Sequence, residues 1–327
     1  MLVLLTRRRF PAFIPDRNFT DTFKGLAMFL ILYHHSRIYH GSDFWFLFGG
    51  GDAYTGVSMF FFISGFGLVR SQEKKQLDFV RFLTVRSLAL IPGVVLCMLL
   101  RVAIGPLWGG KIGLESDPLT LLGLREWFIV AIWTYYLAFI ISWMIGRSRF
   151  ERGLCTMVAI LLIASGLAQA SLLSTIASSW LRFPFSFAMG VLLAGHMEQT
   201  LDFCRRQAIL ILAVTGITLG LVWIHKIDTY TTIWLADVAI IPCSIAGCSL
   251  LYRFNLTSGF WLFMGRNSLY LFLLQVPLLK YGWFTHVWRK DMIGLMACWT
   301  VIATMAAGVG WLRNMLVRSL TWRRATQ

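Results

Sequence analysis

About ten apolar runs, many of them close to or above the roughly 20 residues needed to cross bilayer hydrocarbon, divide this chain, and they constrain its fold more than any other feature. In hydrocarbon every backbone N–H and C=O has to find its partner within the segment, so such runs fold as helices. The helices are predicted over residues 19–39, 55–70, 87–107, 122–146, 153–173, 183–197, 207–224, 231–252, 260–284 and 292–312. Composition closes the alternative. With 57% hydrophobic and 14% charged residues, and a mean hydropathy of +0.69, the chain lacks the charge that a soluble surface of 327 residues requires. The expected fold class is all-α, a polytopic helical bundle in a membrane. It forms one domain over residues 1–327, with no linker long enough to release a soluble unit.

The net charge of +15 at first suggests nucleic acid. Its distribution argues for the bilayer instead, and no nucleic-acid partner is expected. The basic residues fall in short clusters between the apolar runs: Arg7-Arg8-Arg9, then Arg70 with Lys74, Lys75, Arg81 and Arg86, then Arg147, Arg149 and Arg152, then Arg205-Arg206, and last Arg313, Arg318, Arg323 and Arg324. Ten crossings put both termini on one side, and these clusters mark that side as cytoplasmic. Residues 2–5 are too short for the apolar core of a leader, and the arginines follow rather than precede them, so the start reads as a short cytoplasmic tail. The six cysteines, at 97, 155, 204, 243, 248 and 298, show no CxxC and no metal-ligand spacing. They are expected to pack as small hydrophobes, with no metal bound. The oligomeric state is left open.

The first helix carries the chemistry. Lys24 and His35 are eleven residues apart, three turns plus about 20°, which places both on one face about 16 Å apart along the axis. Polar groups in a membrane helix are costly and face a cavity or a partner, so Asp21, Lys24 and His35 read as the lining of a site. The plainer alternative is a cationic foot with interfacial histidines at the head. In the second helix, Ser64-Gly65-Phe66-Gly67 marks a place where backbone opens to a ligand or where a neighbouring helix packs closely.

Three stretches resemble the acyltransferase 3 family of integral membrane enzymes. The run from Asp21 through Lys24 to His34-His35 is similar to its first helix, whose hallmark is an arginine with a histidine eleven residues on. Gly56-Val57-Ser58-Met59-Phe60-Phe61-Phe62-Ile63-Ser64-Gly65-Phe66 resembles its second helix, which ends in Ser-Gly-Phe. Gly265-Arg266-Asn267-Ser268-Leu269-Tyr270-Leu271-Phe272 resembles a stretch near its C-terminal end, and Glu126-Trp127-Phe128 is a weaker echo. The chain also departs from the pattern. Lys24 stands for the arginine and keeps charge without the bidentate fork. A pair of arginines two residues apart, followed by a proline, maps to Arg86, Ala89 and Pro92, so one arginine is lost. A late histidine falls at Gln275.

The resemblance implies transfer of an acyl group, usually acetyl, from cytoplasmic acyl-CoA (acetyl-CoA) to a hydroxyl of a cell-envelope glycan or lipid-linked sugar. It places the protein in a bacterial cytoplasmic (inner) membrane, with acyl-CoA as co-substrate and no permanently bound cofactor. His35 would serve as base or acyl carrier, with His34 beside it pointing about 100° away. Lys24 and Arg86 would hold CoA phosphates, with Arg81, Arg70 or Lys74 as substitutes. Asp21 would orient Lys24, and Arg37 would steady an oxyanion or snorkel to the interface. Ser64, without a base beside it, reads as a packing residue, and Trp127 as part of an aromatic belt. Arg101 and Glu126 read as an ion pair within the bundle. Two rival classes stand beside the enzyme: a transporter or flippase of a lipid-linked glycan on the same scaffold, and a sensor or assembly partner in an envelope complex.

Overall fold

The computed structural model describes residues 17–40, 52–104, 126–169, 184–224, 240–250, 259–281 and 292–325. Among them every regular element is a helix: α1 Arg17–His40, α2 Asp52–Lys75, α3 Phe79–Ile104, α4 Trp127–Ile145, α5 Arg149–Gln169, α6 Pro184–Leu193, α7 Met197–Arg206, α8 Ala208–Ile224, α9 Ile240–Leu250, α10 Gly259–Arg266, α11 Ser268–Tyr281 and α12 Met292–Ala325. The all-α expectation holds for them. Helices α2, α3, α4 and α12 are long and apolar enough to cross a membrane. The outer loop expected over 41–54 is shortened by α2, which begins at Asp52; residues 41–51 and the loop expected at 108–118, with His225, Lys226, Asp228 and His286, lie outside the described residues.

α1 is central. It packs against α2, α10 and α11, while α2 leans on α6, α5 joins α4 to α6, and α11 with α12 closes over α3. The interior is aromatic: Phe23 meets Phe62 at 6.0 Å between ring centroids, Phe61 meets Tyr135 at 4.5 Å, and Phe128 meets Phe272 at 4.2 Å. Such pairs add to the burial of their large apolar area. All six cysteines are free thiols, four of them buried.

Several boundaries differ from the sequence reading, each for a local reason. The third helix begins at Phe79 rather than 87, because Asp78 caps it: the Arg81 N–H donates to Asp78 Oδ1 at 2.8 Å. Arg81 and Arg86 therefore sit on a helix, not in a basic loop. The connection from α2 shrinks to residues 76–78, with Gln76 at a φ of 44° and the Gln72 side-chain amide donating to the Leu77 carbonyl. The ninth predicted helix is broken at Asn267, whose side-chain amide turns back to the Phe263 carbonyl at 3.0 Å. The sixth ends at Leu193, with the polar α7 following it, and the last runs thirteen residues past its expected end at 312, to Ala325.

Candidate functional site

Glycine lets α10 lie directly on α1. A Cβ at Gly25 would overlap the Trp261 carbonyl, and one at Gly265 would overlap the Asp21 carbonyl. On another side of α1, a Cβ at Gly56 of α2 would overlap the Ala27 carbonyl and the Ile31 side chain. Backbones approach this way in membrane proteins where small residues leave room. The three sequence stretches that resemble the family are thus brought into one crossing.

At one end of that crossing sits Asp21, only 5% exposed. Its carboxylate accepts from Arg266 Nε at 3.3 Å and lies 3.8 Å from Arg17 Nε. Lys24, one turn on, is half-buried, and the Asp21 carboxylate is the negative charge that acts on it. Asp21 is therefore shared between Arg266, Arg17 and Lys24. The sequence reading had paired it with Lys24 alone.

At the other end, α1 carries His34 and His35 with their rings edge to face at 5.7 Å. The His35 ring lies against the amide of Gln275, a fully buried residue of α11. The approach falls short of a well-formed hydrogen bond, since neither Gln275 amide atom has such a partner among the described residues. Ser36 then ties this end to α12: its hydroxyl accepts from Trp299 Nε1 at 2.9 Å and donates to the Leu32 carbonyl at 2.7 Å. Three helices thus fix the histidine-bearing turn, with Arg37 half-buried just beyond it. α1 is unbroken from Arg17 to His40, so Lys24 and His35 do stand about 16 Å apart along one axis.

The Ser-Gly-Phe stretch stays helical. Ser64 donates to its own helix at the Phe60 carbonyl, 2.7 Å away. Gly65 packs on the Phe187 carbonyl while Gly190 of α6 packs on the Phe62 carbonyl, a reciprocal pair. Phe66 is buried, with the Arg70 guanidinium 6.0 Å from its ring centre. Of the two uses that the sequence left open for Gly65, the close-packing one is realised. Trp127, the first residue of α4, packs edge-on against Phe128 at 5.9 Å and Phe272 at 6.3 Å, so it reaches α11 as well as the rim.

The expected phosphate ligands divide. Arg81 is exposed in the first turn of α3. Arg86 is half-buried, its guanidinium 5.4 Å from the Phe82 ring centre and 5.9 Å from that of Tyr136 on α4. It thus turns toward α4. Arg101 pairs with Glu126, as the sequence suggested. A cavity of about 550 Å³ opens between the α2–α3 turn and the facing ends of α4 and α5. Its charged groups are engaged: Glu73 pairs with Arg149, Asp78 caps α3, and Arg152 donates to the Gly146 carbonyl while stacking 3.8 Å from the Trp143 ring centre.

Arg266, Gln275 and Trp299 enter the site without having been singled out for a role in it. Arg266 had a signal, since it stands in the third motif. Gln275 appeared only as a departure from the family pattern, and Trp299 gave none, because 263 residues separate it from Ser36.

No curated protein and no solved structure matches this chain. A family model does: that of the acyltransferase 3 family, described as an acyltransferase domain, matches residues 17–312, nearly the whole chain. The three stretches gathered around α1 lie within that match, and the protein belongs to the acyltransferase 3 family of membrane acyltransferases.

Proposed function

We propose that the protein is an O-acyltransferase of a bacterial inner membrane. It moves an acyl group, acetyl in the simplest case, from cytoplasmic acyl-CoA to a hydroxyl of a cell-envelope or exopolysaccharide sugar. The observation that carries this reading is the unbroken α1, with Lys24 at one level and His35 about 16 Å away, its ring against Gln275 of α11 and its neighbour Ser36 bonded to Trp299 of α12. That length suits an extended pantetheine arm between anchored phosphates and a reacting thioester.

On this reading His35 takes the proton of the acceptor hydroxyl, the oxygen adds to the thioester carbonyl, and the C–S bond breaks. The leaving thiolate recovers the proton from the imidazolium. Arg37, two residues further along α1, is the nearest cation that could turn its long side chain to the developing oxyanion. Gln275 and His34 hold the ring, and Lys24 supplies charge toward a CoA phosphate with Asp21 setting its position. Should His35 carry the acyl group itself, the same residue would show a trapped acyl-imidazole before acceptor is added.

The test is His35→Ala in purified protein supplied with acetyl-CoA and the envelope glycan fraction. A loss in kcat of about 10²–10⁴ is expected for a missing general base, with acyl-CoA binding and membrane insertion kept. His34→Ala should cost far less. If both variants still acetylate the glycan as the native protein does, the histidine mechanism is wrong and the transporter reading moves ahead.

A further inference from the structure

We infer that Arg313 of α12 is a phosphate-binding residue, occupying in space the place left by the missing arginine at position 89 and gripping a phosphate of the acyl-CoA donor together with Arg86. The inference rests on the acyl-CoA reading above. Its starting observation is a contact across 224 residues of chain: Arg313 Nη2 donates to the Ala89 carbonyl at 3.2 Å, in the turn of α3 before Pro92. Arg86 is three residues earlier on α3, so the two cations serve neighbouring positions of one helix surface.

Each guanidinium keeps one N–H that lacks an acceptor, although the Arg313 terminal nitrogens donate to the Ala89 carbonyl at 3.2 Å and to Asn314 Oδ1 at 3.0 Å. Nε of Arg86 and Nε of Arg313 are buried with no hydrogen-bond partner among the described residues. Neither has a carboxylate within ion-pair distance there, whereas Arg101 has Glu126, Arg149 has Glu73, Arg206 has Asp202 and Arg266 has Asp21. A buried N–H without an acceptor is costly, and an oxygen-rich anion held between α3 and α12 would supply one to each arginine. Phosphate answers that geometry, because its oxygens accept the parallel N–H bonds of a guanidinium fork.

The surroundings are built to hold this pair. The Tyr270 ring lies between Gly93 of α3 and Gly310 of α12, where any Cβ would meet it. This wedge sets the spacing of the two arginine-bearing helices, and its phenol is within electrostatic reach of Arg313. Asn267 reaches the same Gly310. The Gly-Arg-Asn-Ser-Leu-Tyr stretch thus touches Asp21 through Gly265 and Arg266, and braces the arginine pair through Asn267 and Tyr270.

A phosphate at this place has two sources, the CoA donor or an anionic lipid headgroup, and the donor is the one assigned here. The experiment titrates CoA by calorimetry into the full-length protein in nanodiscs of zwitterionic phosphatidylcholine. Arg313→Ala should weaken CoA binding about 10- to 100-fold, as loss of one charge-assisted contact does, and Arg313→Lys should weaken it less. The deciding variant adds Ala89→Arg to the Arg313→Ala background and should restore most of the affinity. Should Arg313→Ala fold poorly, Arg313→Lys alone and the double variant carry the comparison. CoA binding unchanged in Arg313→Ala would overturn the inference while leaving the acyl-CoA reading standing. If Arg313→Ala loses only the thermal stabilisation given by added phosphatidylglycerol, the phosphate belongs to a headgroup and the inference falls. If the unaltered protein binds no CoA, both readings fall together.

Discussion

Gly65 and Gly67 are two residues apart in α2 yet have opposite surroundings. A Cβ at Gly65 would overlap the Phe187 carbonyl, a backbone atom that cannot swing aside, while one at Gly67 meets nothing within 4 Å. Gly65→Ala is therefore expected to destabilise by about 1–3 kcal/mol, the usual cost of forcing volume into a filled contact. Gly67→Ala should be neutral, or stabilising by up to about 1 kcal/mol through its helix propensity. Thermal unfolding of the two variants in the same detergent decides it: equal melting temperatures would mean that α2 and α6 do not cross at Gly65. This contrast marks the limit of residue-level reading. The motif exposed two small residues, but which of them meets a neighbour depends on a helix more than a hundred residues away. His35 and Lys24 were legible because polar groups stand out in an apolar run. Gln275 and Trp299 were not, since their importance lies only in what they touch.

At the scale of the element, α5 shows how a helix start is written. Ser148 and Glu151 form a reciprocal cap. The Ser148 N–H donates to Glu151 Oε2 at 2.8 Å, the Arg147 N–H donates to the same oxygen at 2.7 Å, and the Glu151 N–H donates to Ser148 Oγ at 3.2 Å. Those two backbone donors hold the Glu151 carboxyl below its ordinary value of 4.5. Its folded value being depressed, the cap is fully present above that ordinary value and is lost as the pH falls through the lower folded one. Amide exchange at Arg147 and Ser148, corrected for the intrinsic rate, should thus rise as the pH drops below about 4.5. In Glu151→Gln this pH response should vanish; a response that survives would show that another group controls it. The Ser-x-x-Glu spacing was readable in advance and so was Asp78 before α3, yet the basic residues around each made the segments look like loops. The break at Asn267 was not readable, because the apolar pattern runs on through it and only the side-chain bond to Phe263 reveals the interruption.

For the whole molecule, charge is the feature that predicts which side each end of the bundle faces. The clusters at Lys74-Lys75, at Arg147 to Arg152 and at Arg205-Arg206 fall at helix ends or turns, where a positive charge resists translocation most. The short connection at 76–78 strengthens the case, because three residues hold Lys74, Lys75 and Arg81 close to one membrane face. Arg313 donates to Ala89 of α3, so α12 meets α3 close to Arg86, and the arginine pair should share the compartment of that connection. Reporter fusions after residues 75, 150, 205 and 320 are expected to report the cytoplasm, and fusions near 113 and 227 the outside. One result matters above the others. An external reading at 75 would carry Arg86 and Arg313 to the side that lacks acyl-CoA, and phosphate capture by that pair would be impossible. A cytoplasmic reading at 75 with an external one at 320 would instead require an odd number of crossings between them, which the Arg313–Ala89 contact does not allow. The fusions at 75 and 320 therefore have to agree for the arrangement of α3 against α12 to hold.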